Sequence, residues 1–180
     1  MPVKAPWAYR SRQLLTALLG RVSDSEMAEA RSVLGPASYA LFAAMPRQYR
    51  RHGLTVYRTV RENGCDDPVV LQAALLHDCG KYDPASGRYV TVVHRVLVVV
   101  LENLPGGNSL ARTLASWGRR KPGGWLFYPF YLSRNHPRLG AELAAHSGTQ
   151  AEVVRLIAGH HGRSSNDIRL WALQAADDKS

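Results

Sequence analysis

The stretch Ala73-Ala74-Leu75-Leu76-His77-Asp78-Cys79-Gly80-Lys81 constrains this chain more than any other. An apolar helical run ends in His-Asp and passes at once into a Gly-Lys turn. A carboxylate at the end of a buried helix is costly unless it is paired or bound to a metal. Other histidines stand at 52, 136, 160 and 161, and an Asp pair, Asp177-Asp178, lies near the end of the sequence. Together they have the composition of a single metal centre, collected from most of the chain.

A length of 180 residues suits one ordinary domain with a sizeable core. With 46% hydrophobic and 21% charged residues, disorder is excluded. No apolar run reaches the ~18 residues of a membrane span. The closest to one, 96–101, is bracketed by His94, Arg95 and Glu102. Arg10, Arg12 and Arg21 surround only a short apolar patch at 14–19, unlike a secretory signal. Cys65 and Cys79 make no disulfide framework, so a reducing cytoplasm is expected. The net charge is +9, with ten basic and three acidic residues in 1–61. Such a surface favours anionic partners, phosphorylated small molecules or nucleic acid. The aromatic-basic repeat of single-strand binders is missing.

The pattern along the chain predicts an all-α fold. A short amphipathic helix is expected over 9–19. Ser23 and Glu26 form a capping box opening a helix to about 34. Pro36 starts one through 44, and Pro46 starts another over 47–63, ended by Gly64. Asp67-Pro68 caps a helix over 69–78. Residues 81–87 form a polar loop. The valine-rich 89–104 is ambiguous, and its length and lack of alternation favour a buried helix. Asn108 caps a helix to 117, and 118–135 is expected to be irregular. Pro137 in a first turn would put His136 at a helix mouth. A second capping box, Thr149 with Glu152, opens a helix to about 160. Ser164 or Ser165 caps a last helix over 167–178. Two parts are expected: N-terminal helices over 1–45 packed on a unit spanning 46–180.

Divalent transition metals take imidazole nitrogen and carboxylate oxygen. His52, His77, Asp78, His136, His160, His161 and Asp177 all sit near helix ends or on apolar helix faces. Helices can aim such side chains into a shared bundle core. His94 and His146 stand apart from that set. Arg119, Arg120 and Lys121, with the aromatic-rich segment after them, could steer an anion and cover the site.

The order His…His-Asp…His…His-His…Asp resembles the HD superfamily of metal-dependent phosphohydrolases. The motifs are RHGLTVY at 51–57, ALLHDCGK at 74–81, HPRLGAELA at 136–144, LIAGHHG at 156–162 and LQAADD at 173–178. The resemblance covers 46–178. The added histidines are similar to the two-metal subset that includes the HD-GYP and HDIG-type phosphodiesterases, although Gly162-Arg163-Ser164 stands where the former carry Gly-Tyr-Pro.

This resemblance implies a compact helical bundle with a metal site in its centre, holding one or two divalent ions (Mn, Fe, Ni, Mg or Zn). His52, His77, Asp78 and Asp177 would hold one ion, and Asp78 would bridge to a second on His136 and His160. His161 would reach the substrate phosphate or share the second ion. Lys81 would contact phosphate; apart from the resemblance, Arg138 and Arg134 flank His136 and are candidates for secondary phosphate contacts. Asp178, one helical step from Asp177, remains an alternative ligand. The implied activity is hydrolysis of a phosphate ester of a nucleotide or other small phosphorylated metabolite. Two other readings use the same residues: an HD-fold di-iron oxygenase, and a non-catalytic nucleotide-sensing module. Oligomeric state is left open.

Overall fold

Ser23 accepts a hydrogen bond from the Glu26 amide while the Glu26 carboxylate accepts one from the Ser23 amide, the reciprocal cap read from the sequence. The helix it opens is the first element in a computed structural model that describes residues 21–103, 106–120, 126–162 and 166–180. The elements are α1 (Asp24–Val33), α2 (Pro36–Ala44), α3 (Arg47–Glu62), α4 (Pro68–Leu76), a 3-10 turn (Cys79–Lys81), β1 (Tyr82–Asp83), β2 (Arg88–Tyr89), α5 (Val92–Asn103), α6 (Gly107–Arg120), α7 (Tyr128–His146), α8 (Ala151–Gly159) and α9 (Ile168–Asp177). The fold is all-α. Among the described residues the only strands are the antiparallel pair β1 and β2, in register Tyr82 to Tyr89. No helix among them is long and apolar enough to cross a membrane.

Helix α4 is the axis of the fold. Asp67 caps it by accepting from the Val69 amide, and Pro68 occupies the first turn, where its missing N–H costs nothing. Val69, Val70, Leu71, Ala73, Ala74, Leu75 and Leu76 are all buried, so the helix is apolar on every side. It is surrounded by α1, α2, α3, α8 and α9. Each buried Leu or Val adds about 1.5–3 kcal/mol. Residues of 22–45 join the same core through Ala30, Leu34, Phe42 and Met45.

Two close approaches set the geometry around the end of α4. A Cβ on Gly53 would lie 2.7 Å from the Leu75 carbonyl oxygen, so α3 crosses α4 in backbone contact. A Cβ on Gly80 would lie 2.1 Å from the His136 carbonyl oxygen and 2.4 Å from the Gly140 amide nitrogen. The turn after α4 therefore touches the middle of α7.

Several expectations are corrected. α4 stops at Leu76, which leaves His77 as its C-cap and Asp78 as the cap of the 3-10 turn. Residues 81–87 include a hairpin strand rather than loop alone. The 89–104 segment is helical from Val92, but Val93, Val96, Leu97 and Val100 are exposed. Most of the expected irregular stretch is helical, because α6 extends to Arg120 and α7 begins at Tyr128. Pro137 lies inside α7, so His136 is a mid-helix residue and not a helix mouth. Gln150, with no side-chain bond, is the N-cap of α8. Thr149 shares hydrogen bonds with Ser38 (2.8 Å) and Ser147 (3.1 Å) instead, a tertiary use of a capping hydroxyl. Asp167 caps α9 through the Arg169 amide. The helix expected over 9–19, the loop residues 121–125 and the serines at 164–165 lie outside the described residues.

Candidate metal centre

The C-terminal turn of an α-helix leaves carbonyl groups without intrahelical donors. His77 follows α4, and its Nδ1 lies 2.9 Å from the Ala74 oxygen. His160 follows α8, and its Nδ1 lies 2.7 Å from the Ile157 oxygen. His136 has no helix end nearby, but Pro137 has no N–H to give to the Ser133 carbonyl. That carbonyl takes the His136 Nδ1 at 2.6 Å. In all three rings a carbonyl three residues back holds the proton on Nδ1, so Nε2 keeps its lone pair. Fixing the tautomer in this way is how a metal-binding imidazole is oriented.

Those Nε2 atoms converge. His136 Nε2 lies 3.2 Å from His160 Nε2 and 3.5 Å from Asp78 Oδ1. His77 Nε2 is 3.6 Å from Asp78 Oδ1 and 3.5 Å from Asp177 Oδ1. His52, from α3, sets Nε2 2.9 Å from Asp177 Oδ1 and 3.8 Å from Asp78 Oδ2. Ligand atoms on one small divalent ion, each about 2.0–2.2 Å from it, are spaced like this. The ligand atoms form two trios, His52, His77 and Asp78, and His136, His160 and His161, each within 4.8 Å. His77, Asp78, His136 and His160 are buried, whereas His161 is exposed.

The donor set is incomplete without a cation. His77 Nε2 and Asp78 Oδ1 are buried with no hydrogen-bond partner. Such orphaned atoms call for an ion or water. Lys81, also buried, sets its ammonium on Asp78: its Nζ hydrogen-bonds Oδ2 at 2.8 Å and stands 2.7 Å from Oδ1, where only the distance is favourable. Imidazoles whose Nδ1 is held by a carbonyl, His77, His136 and His160, together with His52 and two carboxylates, fit a divalent ion of the transition series.

The protonation equilibria follow from burial and from these neighbours. Burial works against the Asp78 carboxylate, but Lys81, His77 and His52 outweigh it and hold the group well below its usual range. Asp177 is also lowered, the His52 and His77 hydrogen bonds overcoming burial. Burial, then His77, pushes His160 down to about 3. His136 is held well below its ordinary value by burial and then Lys81. His161 is lowered by the same two causes. His77 goes the other way: burial opposes its charge, yet Asp78 and Asp177 win.

Comparison with family models, with curated proteins and with solved structures gave no match.

Of the residues singled out from sequence, His52, His77, Asp78, Lys81, His136, His160, His161 and Asp177 are brought together. Asp178 is the exposed C-cap of α9. Arg138 is not brought in. It is more than half exposed, pairs with Glu142, and hydrogen-bonds the Tyr131 hydroxyl at 3.1 Å. Two positions past His136 is about 200° around the helix, away from the cluster. Arg134 is exposed too. His146 is exposed, and His94 holds Thr91 at 2.7 Å. Cys79 is buried with its thiol pushed up to about 12 by burial first and Asp78 second, which leaves it unreactive.

Sequence reasoning missed three contributors. Gly80 and Gly140 allow α7 to reach the His-Asp turn; a glycine inside the helical pattern at 140 was the available signal. Gln174 donates to the carbonyls of His160 (3.1 Å) and Gly162 (2.9 Å), bracing the double-histidine turn against α9. Its position one turn before Asp177 was the clue.

Proposed function

We propose that the chain is a metal-dependent phosphohydrolase of the HD type, acting on a phosphate ester of a nucleotide or other small phosphorylated metabolite. One observation carries the reading: imidazole Nε2 atoms with locked tautomers meet carboxylates around the orphaned Asp78 Oδ1. The order of the motifs along the chain agrees with it. His52, His77, Asp78 and Asp177 would hold one divalent ion, and His136, His160 and His161 have the spacing for another. A divalent ion there supplies Lewis-acid activation of water and charge neutralisation at phosphoryl oxygens.

The chain's own residues supply the rest. Asp78, ionised, faces both trios and fixes the local negative charge. Lys81 sets an ammonium against it, a point charge that suits a phosphoryl oxygen. His161 is the exposed member of the trio, and its lowered proton affinity keeps a lone pair free at neutral pH. Where it does not hold the second ion, it can take a proton from the attacking water and pass that proton on to the departing alkoxide. The buried rings exclude bulk solvent behind it.

The test joins metal analysis of the purified chain with phosphate release from aryl phosphates, nucleotides and cyclic nucleotides. Bound metal and turnover, both lost in Asp78→Ala, are expected. Full metal occupancy in Asp78→Ala would sink the site, and iron with a mixed-valence signal but no phosphate release would replace hydrolysis with oxygen chemistry. His161→Ala should keep the ion on His52, His77, Asp78 and Asp177 and lose rate; behaving like Asp78→Ala instead would make His161 a metal ligand.

A further inference from the structure

Helices α5 and α6 form a hairpin that attaches to the first turns of α7 through aromatic contacts. The Trp117 and Phe127 ring centroids are 6.1 Å apart, and His94 stands edge-on to Phe130 at 5.9 Å. The inner side of α6 carries small buried residues, Gly107, Ala111 and Ala115. A Cβ on Gly118 would lie 2.5 Å from the Phe127 carbonyl oxygen, so that side is closed by backbone contact. The outer side is different. Val93, Val96, Leu97 and Val100 recur at helical spacing on α5, and Leu110 and Trp117 stand two turns apart on α6. All six are between 44% and 67% exposed. Apolar exposure concentrated on adjoining helices marks an interaction face, where scattered single residues would not.

Charge decides what can cover it. The sequence over 88–138 contains eight basic residues and one acidic, Glu102. Arg112, on α6, is exposed, and among the described residues its bond is to a carbonyl of its own helix, Asn108, at 3.2 Å. The chain as a whole carries +9. A second copy would set the same basic segment against this one, like charge facing like charge. An apolar stripe on a segment this rich in basic residues, with Arg112 exposed beside Leu110, fits instead the boundary between acyl chains and anionic headgroups. We infer that the outer face of the α5–α6 hairpin docks the protein on the surface of an anionic lipid membrane, without crossing it.

None of the six stripe residues belongs to the His/Asp centre, which α7 reaches at His136 about two turns beyond the hairpin's contacts at Phe127 and Phe130. The membrane contact would thus set where the enzyme works and not how its site is built.

Co-sedimentation of the full chain with vesicles tests this. Vesicles of equal phosphatidylcholine and phosphatidylglycerol should bind it, pure phosphatidylcholine vesicles about tenfold or more weakly, and added salt should release it. Val96→Asp with Leu97→Asp should lower binding to the anionic vesicles about tenfold or more. Leu110→Asp, on the neighbouring helix, is an independent variant with the same expected direction, and helical content by circular dichroism establishes that each is folded. Four outcomes overturn the proposal: no binding to anionic vesicles, equal binding to neutral ones, full binding by folded variants, or lipid-free self-association abolished by the same substitutions, which would assign the face to a second copy.

Discussion

Arg51 and His52 are consecutive residues on α3 that belong to two unlike charge clusters. Arg51 reaches outward to Glu26, with Nη atoms 2.6 and 3.0 Å from its carboxylate oxygens. Arg58 adds a bond at 2.9 Å, and the Ser23 amide another at 2.8 Å. Every lone pair of Glu26 is met by a donor from the chain. His52 turns inward to Asp177 and Asp78, where imidazoles and carboxylates face one another and Asp78 Oδ1 is left without a hydrogen bond. The outer cluster is complete at its carboxylate, although the Arg51 Nε is buried without a hydrogen bond; the inner one leaves a carboxylate oxygen, Asp78 Oδ1, and the His77 Nε2 without a partner from the chain. That contrast separates a structural ion network from a binding site more sharply than charge density does.

The largest effect comes from removing the shared carboxylate. Asp78→Asn should destabilise the metal-free protein by about 3–5 kcal/mol, because Lys81 stays buried and unpaired. It should also abolish the rise in Tm that a divalent cation gives the native chain. Urea denaturation with and without metal measures both. A preserved metal-induced rise in Tm would place the cation elsewhere.

How much of this was legible in the sequence depends on the kind of interaction. Caps and breakers are local, so the Ser23–Glu26 box, the Asp67-Pro68 start and the Gly64 stop (φ 82°) could be read directly. The His and Asp positions were legible as a pattern, although convergence is a tertiary fact that spacing alone does not fix. What could not be read was tertiary competition. Thr149 has a capping sequence around it, but Ser38 takes its hydroxyl. Pro137 looked like a helix start because a proline tolerated inside a helix needs a replacement donor for the freed carbonyl, and here that donor is a side chain. Arg138 looked well placed because it is close in sequence to His136, and helical rotation turns it away.

Gly80→Ala probes the contact that brings His136 to the centre. Its Cβ would meet the His136 carbonyl and the Gly140 amide, both backbone and unable to swing aside. The expected loss is about 1–3 kcal/mol, with α7 displaced from the turn. Metal should then be retained on the His52, His77 and Asp78 trio and weakened on the other. Isothermal titration with a divalent ion would register a second binding step that fades while the first persists; equal loss of both would argue for one indivisible site.

Glu26→Gln tests the complete cluster. It removes charge from a network whose partners are still wetted by solvent, so the cost should be about 1–2 kcal/mol. Metal affinity should not change, since nothing in that network touches the centre. Its pH dependence has a definite sign. Burial alone would raise the Glu26 carboxyl, but the Ser23 amide, Arg51 and Arg58 bring it from 4.5 to about 2. A depressed carboxyl stabilises the fold above its unfolded value, and the contribution is lost as pH falls from about 4.5 through about 2. The metal-free native chain should therefore lose stability more steeply across that window than Glu26→Gln. Parallel curves would remove Glu26 from the acid response.

Pro137→Ala asks whether the inner cluster is tuned at a cost to the helix around it. Proline in a helix interior lacks an N–H and opposes the helix. Alanine would restore a donor to the Ser133 carbonyl, so the metal-free protein should become more stable, by about 1 kcal/mol. That same N–H would compete with the His136 ring for the carbonyl that now fixes its tautomer at 2.6 Å. An imidazole freed to exchange its tautomers presents Nε2 to a cation only part of the time, and metal affinity should fall about tenfold. Thermal melts and competitive metal titration should thus move in opposite directions. If affinity holds while stability rises, His136 is oriented by packing alone, and the shared rule for His77, His136 and His160 reduces to their helix-end members.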